Sequence, residues 1–316
     1  MKTEGLNIGK LYRKYGILIV LAVLFVAACI LNPNFSKPAN LVNVMKQITP
    51  ATIIAVGMTM LICSGGIDLA AGMEAALAAC ISAKVMASTN SLILGVLVAI
   101  LVGAACSYAS SLVITLFNVP AFIATLATSN VCSGLVIIIT GGSTIRGVDK
   151  LKSLSQGSLF GVIPYMIILL TIVLIVGQVI MRNTRFGLYM YGIGGNPKAA
   201  IASGINAKRQ LRLTYIVSGI MIGIAAITLE ARMMAAHPNV GPGYEFDAIT
   251  ATVVGGTSFT GGSGSMYCVI IGSVIIGIIN NLMVLMGIDT SWQNVIKGIL
   301  IALAVTLDIM TRGKKK

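Results

Sequence analysis

Long apolar runs alternate with short polar connections along almost the whole chain. A membrane-spanning helix needs about 20 mostly apolar residues. Runs of that kind cover 15–31, 91–117, 120–140, 159–181, 213–231, 266–287 and 292–310. Two less regular segments, 47–63 and 69–88, flank a glycine-containing interruption, and a third, 246–262, is apolar but rich in Gly and Thr. Together they predict about ten crossings, and so an all-α integral membrane protein that forms one domain over 1–316. Pro120 suits the first turn of its helix, and Pro50 and Pro164 are expected near the starts of theirs, where a missing N–H costs least.

Composition agrees with the pattern. Hydrophobic residues make up 57% of the 316 and charged residues 10%, with a mean hydropathy of +0.96. Soluble domains run at about 45–50% apolar and about 25% charged. The net charge of +13 does not point to nucleic acid, because the cations gather at helix ends and in loops. The N-terminal arm 1–14 holds Lys2, Lys10, Arg13 and Lys14. The loop 182–212 holds Arg182, Arg185, Lys198, Lys208, Arg209 and Arg212 and no acid, and the tail 311–316 holds Arg312, Lys314, Lys315 and Lys316. The connections 32–46, 141–158 and 232–245 hold six cations against these fourteen. The split predicts ten crossings, with both termini and the loop 182–212 on the cytoplasmic side of the cell (inner) membrane. Removing the weak segment 246–262 would break that parity. The first run is long enough to span and lacks a clear small-residue cleavage site, so it reads as a retained helix.

Several chemistries find no support. The six cysteines lie in or at the ends of apolar segments without a CxxC pair, and His237 is the single histidine; no metal or redox site is expected. No nucleophile–base pair stands out, so the chain does not read as an enzyme. It has no GxxxxGK[ST] sequence for cradling phosphates. If the chain moves a solute, the energy has to come from a partner's ATP hydrolysis or an ion gradient, or the movement is passive.

The stretch SGGIDLAAGMEAALAAC, 64–80, places Gly65, Gly66 and Gly72 with two acids, Asp68 and Glu74, between apolar runs. GGTSFTGG, 255–262, echoes it through Gly255, Gly256 and Gly262, with Gly261 beside the last. Paired glycine interruptions predict broken or re-entrant helices near 64–72 and 255–263, tolerated at membrane depth only where protein or a water-filled cavity satisfies the freed backbone. Asp68 suits a cap on the following helix; contact with a polar solute is the rival reading. Glu74 has to face the interior, a partner or water, unless it sits at a wet helix end. Asn280 and Asn281, mid-helix, suit either a contact between helices or a solute hydroxyl. Glu245 and Asp247 read as acids at the start of the weak segment, and Glu230 and Arg232 as the outer end of the helix before it.

The segment AVGMTMLICSGGIDLAAG, 55–72, resembles the signature of sugar permeases of the ABC import family, the ribose, xylose, galactose and autoinducer-2 group. NPNFSKPANLVNVMKQ (32–47), PAFIATLAT (120–128), RFGLYMYGIGGNPKAAIASGIN (185–206), PGYEFDAITATVVGGTSFTGGSGS (242–265) and IINNLMVLMGI (278–288) resemble further family segments in the same order, and the ribose-type members most. One departure is plain. The family usually has hydroxyls after GIDL, where this chain has Ala70, Ala71 and Met73, with Glu74 added. That change puts the identity of the solute in doubt.

The resemblance implies a type II ABC importer-like fold and the membrane subunit of an ATP-driven, binding-protein-dependent importer of a monosaccharide, ribose first. It implies as partners an ABC ATPase subunit, which uses ATP and Mg2+ that this chain does not bind, an extracytoplasmic sugar-binding protein, and a second permease copy. KAAIASG, 198–204, resembles the family's ATPase-coupling loop, which nominates Gly195, Asn196, Pro197, Ala199, Ala200, Ser203 and Gly204. Pro197 suits a helix start and Ser203-Gly204 a helix end. An ion-coupled secondary transporter using Asp68 or Glu74 is the alternative, and a membrane enzyme or biogenesis factor a more distant one.

Overall fold

A computed structural model describes residues 8–313, with side chains for 16–306 and 308–310. Lys2, Lys314, Lys315 and Lys316 lie outside the described residues, as do the side chains of Lys10, Arg13, Lys14 and Arg312.

Thirteen α-helices are described: α1 (Ile8–Leu31), α2 (Pro38–Cys63), α3 (Ala71–Thr89), α4 (Leu92–Phe117), α5 (Ala121–Thr140), α6 (Lys152–Gln156), α7 (Tyr165–Asn183), α8 (Arg185–Gly195), α9 (Pro197–Ala202), α10 (Ala207–Met233), α11 (Tyr244–Val254), α12 (Met266–Leu285) and α13 (Thr290–Gly313). Eight are long and apolar enough to cross a membrane, and α1 adds the apolar stretch Gly16–Leu31. The expected helix at 159–181 starts later, at Tyr165, because Phe160 and Gly161 take positive φ and close a two-stranded hairpin, Ser158–Leu159 against Ile163–Pro164. Helix α2 begins nine residues earlier than expected, so Pro50 lies in its interior rather than near its start. There Thr49 Oγ1 donates to the Met45 carbonyl at 2.8 Å, next to the site where proline supplies no donor.

The weak segment at 246–262 is helical only to Val254. Eleven residues rise about 16 Å, roughly half of a hydrocarbon core of about 30 Å. Side-chain and backbone contacts nevertheless show that the chain crosses the bundle there. At one end, which carries the cations of 182–212, Arg212 Nε donates to Thr115 Oγ1 (2.7 Å) and the Gly262 N–H donates to the Cys63 carbonyl (2.9 Å). At the opposite end, Asn32 Nδ2 donates to the Leu285 carbonyl, Lys46 Nζ to the Ser155 carbonyl, and Ile145 bridges Ala236. Ala236 and Gly262 are therefore at opposite ends. The irregular segment 234–243 covers the depth that α11 does not. Ten crossings follow: eight long helices, α1, and this composite one.

Helices α2, α3 and α10 form the centre, with 72–83% of their apolar windows buried, whereas α4, α5 and α7 bury less than a third and face outward. Small residues let the central helices touch. A Cβ on Gly103 of α4 would stand 2.4 Å from the Gly219 carbonyl, and one on Gly223 would stand 2.5 Å from that of Ala99. Two glycines four apart on α10 thus bring its backbone against that of α4, as in small-xxx-small packing.

Candidate functional site

The first interruption begins where α2 ends. Gly65 takes φ +81, and the Gly66 N–H donates to the Leu61 carbonyl at 2.8 Å, closing a helix end that an L side chain would strain. The chain then turns back into the bundle. Asp68 is fully buried, and its Oδ1 accepts from the Ala70 N–H at 2.9 Å. Asp68 therefore does not cap α3, which begins at Ala71 without a side-chain cap; its bond to Ala70 closes an Asx turn ahead of the helix instead. Tyr215 of α10 donates its phenol to the Ile67 carbonyl at 2.7 Å and pins the interruption.

A second interruption, 234–243, lies beside the first. A Cβ on Gly72 would stand 2.1 Å from Glu245 Oε2 and 2.3 Å from the Gly241 carbonyl; one on Gly241 would stand 2.4 Å from the Gly72 carbonyl. The starts of α3 and α11 therefore meet backbone to backbone and run apart toward opposite ends. Glu245 Oε1 accepts from the Gly243 N–H. Glu74, on the first turn of α3, is fully buried and accepts from Ser107 Oγ of α4 at 2.5 Å, so it is interior and not at a wet helix end. Asp68 Oδ2, Glu74 Oε1 and Glu245 Oε2 make no hydrogen bond among the described residues. Glu74 and Glu245 lie on the first turns of α3 and α11, at the positive ends of those helices. Among the described residues, no three His, Cys, Asp or Glu side chains are arranged to hold a metal ion.

The second glycine signature behaves differently. Helices are interrupted at 255–265 as expected, but this turn packs at the basic end. Gly256, Gly261 and Gly262 take positive φ, and Gly255 lies against Cys268 of the next helix. Residues 194–195 and 261–262 touch through their backbones: a Cβ on Gly194 would stand 1.8 Å from the Cys63 carbonyl and 2.6 Å from the Gly262 nitrogen, and one on Gly262 would stand 2.7 Å from the Gly195 Cα. Tyr191 of α8 adds a hydrogen bond to the Gly264 carbonyl at 2.8 Å. Burial pushes its phenol up to about 12, which keeps that donor protonated.

The residues nominated for the coupling loop make a short exposed helix next to this junction. Asn196 Oδ1 accepts from the Ala199 N–H at 3.0 Å, and Pro197 opens α9. Ser203 caps it, the Gly204 N–H donates to the Ile201 carbonyl, and Gly204 takes φ +82. Ala200 faces inward, while Ile201 is 59% exposed.

The two adjacent asparagines separate. Asn281 is buried and exchanges two hydrogen bonds with Asn40 of α2, at 2.9 and 3.1 Å. Asn280 lines a polar cavity between α2, α11, α12 and α13. Asp247 lies in the first turn of α11, where an acid is expected, and also pairs with Lys297 of α13 at 3.0 Å. Glu230 lies in the last turn of α10, at the expected helix end, and is fully buried there. His237 meets Thr144 Oγ1 through Nδ1 at 2.8 Å. Sequence reasoning missed Gly241 and Glu245 as partners of the first interruption. The signal was the Gly-Pro-Gly run just ahead of Glu245, which breaks a helix as surely as the paired glycines do.

Comparison with known proteins adds a family. Residues 40–305 match a family model described as the branched-chain amino acid transport system / permease component. The chain is 36% identical to the ribose import permease protein RbsC of Bacillus subtilis over 98% of both chains. It is 35% identical to RbsC of Escherichia coli strain K12 over 92% of both, and 34% identical to the galactose/methyl galactoside import permease protein MglC of the same strain over 95% of both. No solved structure matches.

Proposed function

The chain belongs to the branched-chain amino acid transport system / permease component family, and we propose that it is the membrane-spanning subunit of an ATP-driven, binding-protein-dependent importer of a monosaccharide, ribose first. Near-full-length similarity to import permeases named for ribose and galactose supports the substrate class. The observation that carries the mechanism is the junction at the basic end, where Gly194, Cys63 and Gly262 meet.

In this reading the basic end is cytoplasmic, together with both termini, in the inner membrane. A separate ATPase, which binds the ATP and Mg2+, docks on α8–α9, where the exposed Ile201 and small Ala199 offer a shallow apolar contact. The loaded sugar-binding protein docks at the opposite end, and a second permease copy completes the path. A push on α9 passes through the α8 backbone to Cys63, the last residue before the first interruption, and to the turn before α12. One displacement thereby reaches two membrane helices. Close-packed backbones transmit it because they have no side chain to yield.

The buried Asp68 and Glu74 keep an ion-coupled carrier in view as the rival. Labelled ribose uptake into proteoliposomes separates them. The importer requires internal ATP, the ATPase and the binding protein together. Uptake driven by an imposed proton or sodium gradient with no ATP would sink the proposal.

A further inference from the structure

Helix α13 is the least embedded of the eight long apolar helices. No residue of its apolar window is buried, and Ala304 and Val305 rest on the edge of the main core cluster. Two polar ties hold it. Lys297 pairs with Asp247, in the first turn of α11, at 3.0 Å. The Phe259 N–H donates to Asp308 Oδ2, also at 3.0 Å. Lys297 and Asp308 are eleven residues apart, three turns, so they share a helix face about 16 Å apart. That matches the rise of α11 itself. Helix α13 is therefore braced against the start of α11 and against the turn that follows its end.

The second tie reaches the basic end. An acid inside a membrane-length helix is costly without a partner, and Asp308 stands within the stretch Thr290–Met310. The turn that offers it the Phe259 N–H is the one whose Gly261 and Gly262 meet the backbone of Gly194 and Gly195. That turn is braced within itself. The Ser258 N–H donates to the Ser263 carbonyl at 2.9 Å and the Gly261 N–H to the Ser258 carbonyl at 3.0 Å. The hydroxyls of Ser258 and Thr260 share a further hydrogen bond at 2.9 Å. A turn tied in this way moves as a piece, so a displacement of α8 arrives at Asp308.

Toward its other end, α13 forms the wall of two adjoining cavities of about 180 and 350 Å³, both lined by Asn294 and Lys297. Asn294 lies about 21 Å along the helix from Asp308, and a continuous helix carries a displacement over that length.

We propose that Asp308 is the positioning residue that hands the ATPase-driven movement of α8 to α13, so that α11, the turn 255–265 and α13 shift as one unit. The assignment rests on the importer reading and adds a third membrane helix to the two that the junction reaches directly.

The test uses the whole transporter in proteoliposomes, with ATPase and binding protein, and compares wild type with Asp308→Ala and Asp308→Asn. Uptake of labelled ribose, xylose and galactose is read against ATP hydrolysed. In Asp308→Ala, uptake per ATP should fall about five- to tenfold, while ATP hydrolysis stays at the wild-type level. Asp308→Asn keeps an oxygen that accepts from Phe259 and should retain most of the coupling. Asn294→Cys, added to each background, reports the movement through its rate of labelling by a membrane-impermeant thiol reagent, with the parent lacking it as the blank. A non-hydrolysable ATP analogue should change that rate in the wild-type background and leave it unchanged with Asp308→Ala. Full uptake per ATP in Asp308→Ala overturns the proposal. So does a loss as deep in Asp308→Asn, or a labelling response that persists in Asp308→Ala, which would make the residue merely structural. A wild type that moves none of the three sugars overturns the importer reading, and the role of Asp308 with it.

Discussion

The carbonyl of Cys63 accepts a hydrogen bond from the N–H of Gly262 at 2.9 Å, across 199 residues of sequence. It joins the end of the helix before the first glycine signature to the last glycine of the second. Gly194 of α8 closes on the same carbonyl.

That closeness makes Gly194 intolerant of any side chain. Gly194→Ala places a Cβ 1.8 Å from backbone, and overpacking of this kind costs about 1–3 kcal/mol. Gly192→Ala, two positions earlier on the same helix, meets only Ile205 Cδ1 at 3.9 Å and is expected to be neutral or to stabilise by about 0.5–1 kcal/mol. Thermal melts in detergent measure the difference. Transport per ATP hydrolysed should fall in Gly194→Ala and hold in Gly192→Ala.

Ser107 is the hydrogen-bond donor to Glu74. Ser107→Ala strips that buried carboxyl of its partner and is expected to cost about 1–3 kcal/mol. Glu74→Gln retains an oxygen that accepts from Ser107 and should cost less. ATP-driven uptake survives Glu74→Gln if the protein is an importer; a carrier that binds its coupling ion at Glu74 loses transport instead.

The Asn40–Asn281 pair gives a clean coupling measurement. Its two reciprocal hydrogen bonds should yield an interaction energy of about 0.6–2 kcal/mol in a double-mutant cycle with alanine. An additive cycle would show that the pair contributes nothing.

Lys297 and Asp247 are partly exposed, at 26% and 15%. Lys297→Met leaves the carboxylate unpaired, and a loss of about 1–3 kcal/mol is expected, less than the 3–5 of a fully buried pair. Adding Asp247→Asn should recover most of it. A single variant as stable as wild type would show that solvent already screens Asp247.

Much of the architecture was legible before any coordinates. Runs such as 91–117 and 266–287 are strongly apolar on average, so hydropathy alone located them. Glycine pairs marked the breaks at 64–72 and 255–265, because positive φ at Gly65, Gly256, Gly261 and Gly262 is costly for other residues. Asn196 and Pro197 announced α9 for the same local reason: an acceptor for a free N–H, then a ring already set for helix.

Pairing was not legible. The sequence suggested that 65–72 and 255–262 correspond, yet the segment lying against Gly72 is 241–245. Nor could spacing separate Asn280 from Asn281. Successive residues on a helix point about 100° apart, and only the positions of α2 and α13 decide that one meets Asn40 and the other a cavity.

The sequence by itself determined the membrane-spanning class, the number of crossings and the places where helices break. Those depend on local quantities, namely apolar length, backbone freedom and charge at the ends. Tertiary structure alone decided which breaks touch, which acids are buried and which polar atoms are left to line a cavity. Those depend on how closely separate helices approach, and that is fixed by contacts such as Gly72 on Gly241 and Gly103 on Gly219, whose partners lie more than a hundred residues away.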